Sequence, residues 1–187
     1  MKYLIVGLGN IGEKYANTRH NIGFKILDYL ALQNDIEFKQ NRLAFTAEWK
    51  FKGRSLMFCK PTTYMNLSGK AVNYWMQKEK VAIENLLIIA DDLALPFGTI
   101  RIKKQGGAAG HNGLSDIIEM LGHQEFNRLR FGIGDEFSKG QQVDYVLGDW
   151  TETENEKLEE RIKKVASSIK SFVTIGIDRT MSEFNNK

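Results

Sequence analysis

The sequence predicts an α/β fold: a single domain over residues 1–187, with a mixed, mostly parallel central sheet flanked by helices on both faces. Three observations lead there. Strand-like and helix-like segments alternate for most of the length. Residues 86–90 form a short, wholly apolar run, the pattern of a strand covered on both sides. No repeat, low-complexity tract or linker interrupts the chain, and 187 residues suit one hydrophobic core.

Taken in order, residues 2–6 read as a strand running into a glycine-rich turn. Residues 21–32 read as a helix, because Ile22, Ile26, Leu27 and Leu30 recur at helical spacing. Residues 43–49 and 55–60 read as two strands joined through a tight turn at Lys52-Gly53. A turn follows over 61–66, then a helix over 68–78. The apolar strand 86–90 carries Asp91 and Asp92 at its carboxyl end. Residues 99–103 alternate apolar and basic, as a half-exposed strand does. Glycines over 106–110 make a flexible loop, and a helix opens at 112 and runs to 121. Residues 129–133 predict another strand. The last element is a helix over 152–172, striped by Leu158, Ile162, Val165, Ile169 and Phe172.

Composition narrows the function classes. With 42% hydrophobic and 26% charged residues, the chain does not read as disordered. No segment approaches the roughly twenty apolar residues of a membrane-spanning helix, and the opening MKYLIVGLGN reads as a strand, not a secretion signal. The single cysteine, Cys59, leaves no internal disulfide and points to a reducing, cytoplasmic compartment. The net charge of +3 is unevenly spread: residues 1–75 hold 11 Lys or Arg against 5 Asp or Glu. That excess suits a polyanionic partner, or simply a solvated face.

In α/β folds, ligands bind beyond the carboxyl ends of the strands. Here those ends carry residues 7–20, 61–66 and Asp91-Asp92, with the 106–112 loop nearby. Gly7-Leu-Gly9-Asn-Ile-Gly12 matches the glycine pattern of a dinucleotide site, but the rest of that fingerprint is missing. The helix starts about eight residues too late to meet a pyrophosphate, and Asp28, sixteen residues after Gly12, falls inside the helix. The plainer expectation is a tight turn whose glycines take positive φ.

His20 stands between that turn and the first helix, and histidine is the side chain best suited to take a proton from water near neutral pH. Asp91 can hold its imidazole or the attacking water; Asp92 points the other way by strand alternation, and the plainer reading is that one or both acids cap a loop or helix. Asn10, Asn66 and Asn112 offer neutral donors and acceptors that orient a carbonyl or ribose hydroxyl. His111, beside Asn112 at a helix opening, reads as structural. Nucleophiles are poor: Cys59 lies in a strand, and Ser68 sits in no nucleophile elbow. No H-E-x-x-H or His/Cys metal cluster appears. Attack by activated water on an ester follows. Arg101, Lys103 and Lys104, with Arg128 and Arg130 on one face of the next strand, can clamp RNA phosphates or form a solvated edge. A non-catalytic RNA-binding module and an esterase for small acyl esters are the competing classes.

Five segments together resemble bacterial-type peptidyl-tRNA hydrolase: GLGNIGEKYANTRHNIGF at 7–24, KPTTYMNLSGKAV at 60–72, DDLALPFGTIRIKKQGGAAGHNGL at 91–114, FNRLRFGIG at 126–134 and DYVLGDW at 144–150. The resemblance implies a monomeric α/β enzyme, without metal or cofactor, that hydrolyses peptidyl-tRNA dropped from ribosomes. It makes His20 the base and Asp91 its partner, and gives Asn10, Asn66 and Asn112 the placing of substrate and water. Tyr15 corresponds to a tyrosine at the peptide side of the cleft. Lys103 and Arg130 match basic positions associated with tRNA phosphates. The 3′ CCA end reaches the crevice, more distant surfaces hold the acceptor stem, and residues 138–144 resemble a mobile gate. The chain departs from the family at Ile11, often proline, at Ala94, commonly aspartate, and at Ala108-Ala109, often glycine or histidine.

Overall fold

The structure, a computed structural model, describes all 187 residues. Its sheet is built from β1 (Lys2–Gly7), β2 (Lys39–Asn41), β3 (Ala44–Phe51), β4 (Arg54–Pro61), β5 (Leu86–Asp92), β6 (Ile100–Lys103) and β7 (Asn127–Gly132). The helices are α1 (Ile22–Gln33), α2 (Ser68–Glu79), α3 (Asn112–Leu121), α4 (Gln142–Val146), α5 (Glu152–Ile175) and α6 (Ile177–Phe184). The seven strands lie in the order β2-β3-β4-β1-β5-β7-β6. The central strands β4, β1, β5 and β7 run parallel, while β3 and β6 pair antiparallel at the two sides. The mixed, mostly parallel sheet is therefore as the sequence predicts.

Strand alternation sorts the apolar residues into two cores. Tyr3 and Ile5 of β1, with Leu87 and Ile89 of β5, face α1 and α5. Leu4, Val6, Leu86, Ile88 and Ala90 face the other way, against Val72 and Trp75 of α2 and Leu114 and Ile117 of α3. All seven residues of β5 are buried, which is why that segment carries no polar residue until its last two positions. Between β3 and β4, Lys52 and Gly53 both take positive φ, 46° and 75°, as a two-residue hairpin turn demands.

Three elements lie outside the expectations from sequence. β2 is three exposed residues, α4 is five residues with none buried, and α6 follows α5 across Gly176. β7 also starts two residues earlier than expected, so it includes Arg128. Beyond α6, Asn185 seals the outer edge of β6: the Ile102 amide donates to its Oδ1 at 2.7 Å, and its Nδ2 donates to the Ile102 carbonyl at 2.9 Å. A side chain thus takes the place of a neighbouring strand on an otherwise unpaired edge.

The glycine turn after β1 works by close approach more than by unusual φ. A Cβ on Gly7 would sit 2.2 Å from the Gly23 carbonyl oxygen, and one on Gly9 would sit 2.8 Å from the Phe24 ring. Only Gly12 of the three takes positive φ, at 112°. The expectation of positive φ at all three is corrected: two of them let the start of α1 pack directly on the end of β1 and so carry His20 to the sheet's carboxyl edge.

Candidate active site

At that edge β5 ends in Asp91 and Asp92, and Asp91 is 4% exposed. His20 reaches it from the short 3-10 turn Arg19–Asn21, placing Nδ1 2.9 Å from both carboxylate oxygens. His111 reaches it from the other side, with Nε2 2.9 Å from Oδ1. The two rings lie 4.9 Å apart between centroids. Burial acts to raise the Asp91 pKa, but the His111 and then the His20 imidazole oppose it, by charge and by hydrogen bonding. The carboxyl is held well below the usual range.

The remaining ring nitrogens separate the two histidines. His111 caps α3: its Nδ1 accepts from the amides of Gly113 at 3.1 Å and Leu114 at 3.3 Å. An accepting Nδ1 carries no proton, so in the neutral ring Nε2 carries it and donates to Asp91. His20 is the reverse. Its Nδ1–H donates to Asp91, and its Nε2 keeps a lone pair with no hydrogen-bond partner in the protein. His20, Asp91 and His111 offer donor atoms within 4.8 Å of one another, a spacing that would fit a metal ion. The hydrogen bonds argue against that use, because the His111 nitrogen facing Asp91 bears the proton and has no lone pair to give.

Around this trio lies a cleft lined by His20, Asp91, Asp92, Asn112 and Arg130, by the loop 108–111, and by Gln142, Val143 and Val146 of α4. Asn112 is exposed in its wall, at the first residue of α3. Asn10 is clamped beside His20 by Asn21: its amide donates to Asn21 Oδ1 at 2.8 Å, and Asn21 Nδ2 donates to its carbonyl at 2.9 Å. Asn10 Oδ1 accepts from the Met65 amide at 3.2 Å, and Asn66 is the exposed next residue; Asn112 lines the cleft, while Asn10 and Asn66 lie outside its lining. Tyr15 is half-buried on its own 3-10 turn and does not line the cleft.

Of the departures from the family pattern, Ile11 is exposed, and the Asn21 side chain holds the backbone of Asn10, the residue before it. Ala94 donates its amide to Asp92 Oδ1 at 2.8 Å, which makes Asp92 the loop cap. Ala109 takes φ 50°, a left-handed conformation that costs a non-glycine residue about 1 kcal/mol.

The basic residues divide. Lys103 is exposed on β6, and Lys104 pairs with Asp178 at 2.5 Å. Arg128 and Arg130 do share a face, but Arg128 is fully buried and offers nothing to a phosphate. It donates to the carbonyls of Phe126, Gly106, Gly107 and Gln124, and its guanidinium lies 4.0 Å over the Phe126 ring. Burial, and then the neighbouring Arg130, bring its pKa down to about 10. The expected Arg128–Arg130 phosphate clamp is corrected: Arg128 holds the 106–107 loop. Arg130 helps through Gly107 at 2.5 Å, and pairs with Asp92 at 3.5 Å on the cleft wall.

Sequence reasoning passed over Asn21 and Arg19, and gave His111 no tie to Asp91. For His111 a signal existed, a helix opening beside a Gly-rich loop; for the other two only the folded contacts reveal the role.

Comparison with known proteins fits this geometry. The family model for peptidyl-tRNA hydrolase matches residues 4–187. A peptidyl-tRNA hydrolase of Bacteroides fragilis is 55% identical over 187 residues, all of both chains. One of Cytophaga hutchinsonii is 54% identical, again over the full length of each. The crystal structure of the Acinetobacter baumannii enzyme superposes with a TM-score of 0.92 at 36% identity, covering 98% of this chain and 94% of that one. By that full-length match, the chain belongs to the peptidyl-tRNA hydrolase family.

Proposed function

We propose that His20 is the general base for the reaction of this family, hydrolysis of the ester bond joining a peptide to the 3′-terminal ribose of tRNA. The observation that carries the reading is the unpaired Nε2 of His20, with Nδ1–H anchored on Asp91. Nε2 takes a proton as water attacks the ester carbonyl, and Asp91 stabilises the imidazolium that forms. The tetrahedral intermediate collapses, the ribose 3′ oxygen leaves, and the imidazolium returns the proton to it. Carbonyl and oxyanion are placed by Asn10, whose Nδ2 remains free to donate once Oδ1 has accepted from Met65, together with Asn66 and Asn112.

Tyr15 borders the peptide side, and Lys103 with Arg130 meets tRNA phosphates along the acceptor stem. Arg130 does so only in part, since Asp92 and Gly107 already engage it. In this reading the enzyme is a cytoplasmic monomer that needs no metal. Cys59 is buried and unpaired, and no helix is long and apolar enough to cross a membrane. Free aminoacyl-tRNA is spared because its charged α-amine would lose solvation on entering the cleft.

The test is release of amino acid from N-acetyl-aminoacyl-tRNA and from free aminoacyl-tRNA, each after metal chelation. Rapid release from the blocked substrate alone is expected. Tight tRNA binding without turnover would favour a binding module. Equal turnover of both substrates would sink the ammonium argument, and equal turnover of simple acyl esters would favour a general esterase.

A further inference from the structure

One wall of the cleft is α4, and its hold on the rest of the molecule is unusual. It has five residues, none buried, and Val143 is 65% exposed. A helix that short does not persist by propensity, and this one docks only Tyr145 and Val146, each partly buried, against the core. Beside that packing and the Tyr145 hydroxyl donating to the Ile133 carbonyl, its polar attachments converge on Arg19, the residue before His20.

Arg19 is 6% exposed. Its Nη1 donates to the Tyr145 carbonyl at 3.2 Å, and its Nη2 to Glu154 Oε2 at 3.1 Å. The guanidinium lies 4.2 Å over the Tyr145 ring. Its own amide donates to the Gly148 carbonyl at 3.0 Å, beside a bridge between Thr18 and Asp149. Gly148 is placed to allow this: a Cβ there would come within 3.2 Å of Arg19 Nη1. Glu154 is itself fixed by the capping box of α5, where it accepts from the Thr151 amide at 2.8 Å.

We propose that Arg19 is a positioning residue, a buried latch that fixes the α4 wall to the segment carrying His20 and so sets how firmly the cleft grips its substrate. The proposal rests on the reading of this cleft as the hydrolytic site. A planar guanidinium is required, because it must satisfy two acceptors in divergent directions while stacking on Tyr145, which a lysine ammonium does not do. The latch touches α4 and α5 but not the His20–Asp91 pair, so its loss falls on substrate binding rather than on the chemical step.

The experiment measures hydrolysis of N-acetyl-aminoacyl-tRNA by wild type, Arg19→Lys, Gly148→Ala and His20→Ala, with amide hydrogen exchange on each full-length protein. Arg19→Lys is expected to raise KM roughly tenfold, the scale of one lost charge-assisted hydrogen bond, with a much smaller change in kcat. Gly148→Ala, which leaves Arg19 in place, shifts KM the same way by less. Exchange quickens at residues 142–148 and not at 86–92. An unchanged KM, a loss confined to kcat, or unchanged exchange at 142–148 would each overturn the latch and leave Arg19 as an ordinary stabilising ion pair. Wild-type turnover in His20→Ala would refute the proposed base instead, and that outcome is read independently of the KM and exchange results.

Discussion

His20 and His111 approach the same carboxylate at the same 2.9 Å, from opposite sides, yet they are not chemically alike. The difference lies at the far nitrogen of each ring. On the α3 side, two backbone amides occupy Nδ1 of His111, so that ring is spent on capping a helix and anchoring Asp91. On the β1–α1 side, Nε2 of His20 has no protein partner and borders the cleft. Proximity to an aspartate therefore does not identify a base; the hydrogen bond at the other nitrogen does.

Substitutions test this asymmetry. His20→Ala is expected to lower kcat for N-acetyl-aminoacyl-tRNA by about 10²–10⁴-fold, the usual share of a general base, with a smaller stability loss than His111→Ala because no helix cap goes with it. Asp91→Asn comes next, with a loss of roughly 10²-fold, because an amide that must accept from one ring offers its NH₂ to the other and disturbs the tautomers. His111→Ala reverses the balance. It lowers kcat by less than about tenfold, but costs about 2 kcal/mol in denaturant unfolding, from the lost cap and the lost partner of a buried carboxylate.

The same carboxylate gives a pH signature. Its folded pKa is depressed, so the stability it contributes is complete above the ordinary aspartate value near pH 4 and declines as pH falls through the folded value. Unfolding free energy measured between pH 5 and pH 3 should therefore fall more steeply for wild type than for Asp91→Asn. The smallest effect is expected at Ala109→Gly, a gain of up to about 1 kcal/mol from relief of the left-handed alanine, read by thermal unfolding.

The sequence-legible part of the fold is the part dictated by burial. An apolar run ending in Asp91 had to be a covered strand, and helical spacing over 21–32 and 152–172 had to face a core. β2 and α4 escape such reading because neither buries a residue, so no periodicity marks them. α6 is short and follows α5 with only Gly176 between. In the site, alternation rightly placed Arg128 and Arg130 on one face, but it could not say that the 106–107 carbonyls cover that face. Arg19 and Glu154 meet across 135 positions, and Asn21 works on a backbone segment eleven residues away; local pattern holds no trace of either contact.

The most direct test of the central claim is the tautomer of each histidine, read from two-bond ¹H–¹⁵N correlations on protein labelled at the imidazole nitrogens. The neutral rings should differ, with the proton on Nδ1 in His20 and on Nε2 in His111. A proton on Nε2 of His20 would remove the lone pair that the proposed reaction needs, and a proton on Nδ1 of His111 would dissolve the asymmetry between the two sides of Asp91.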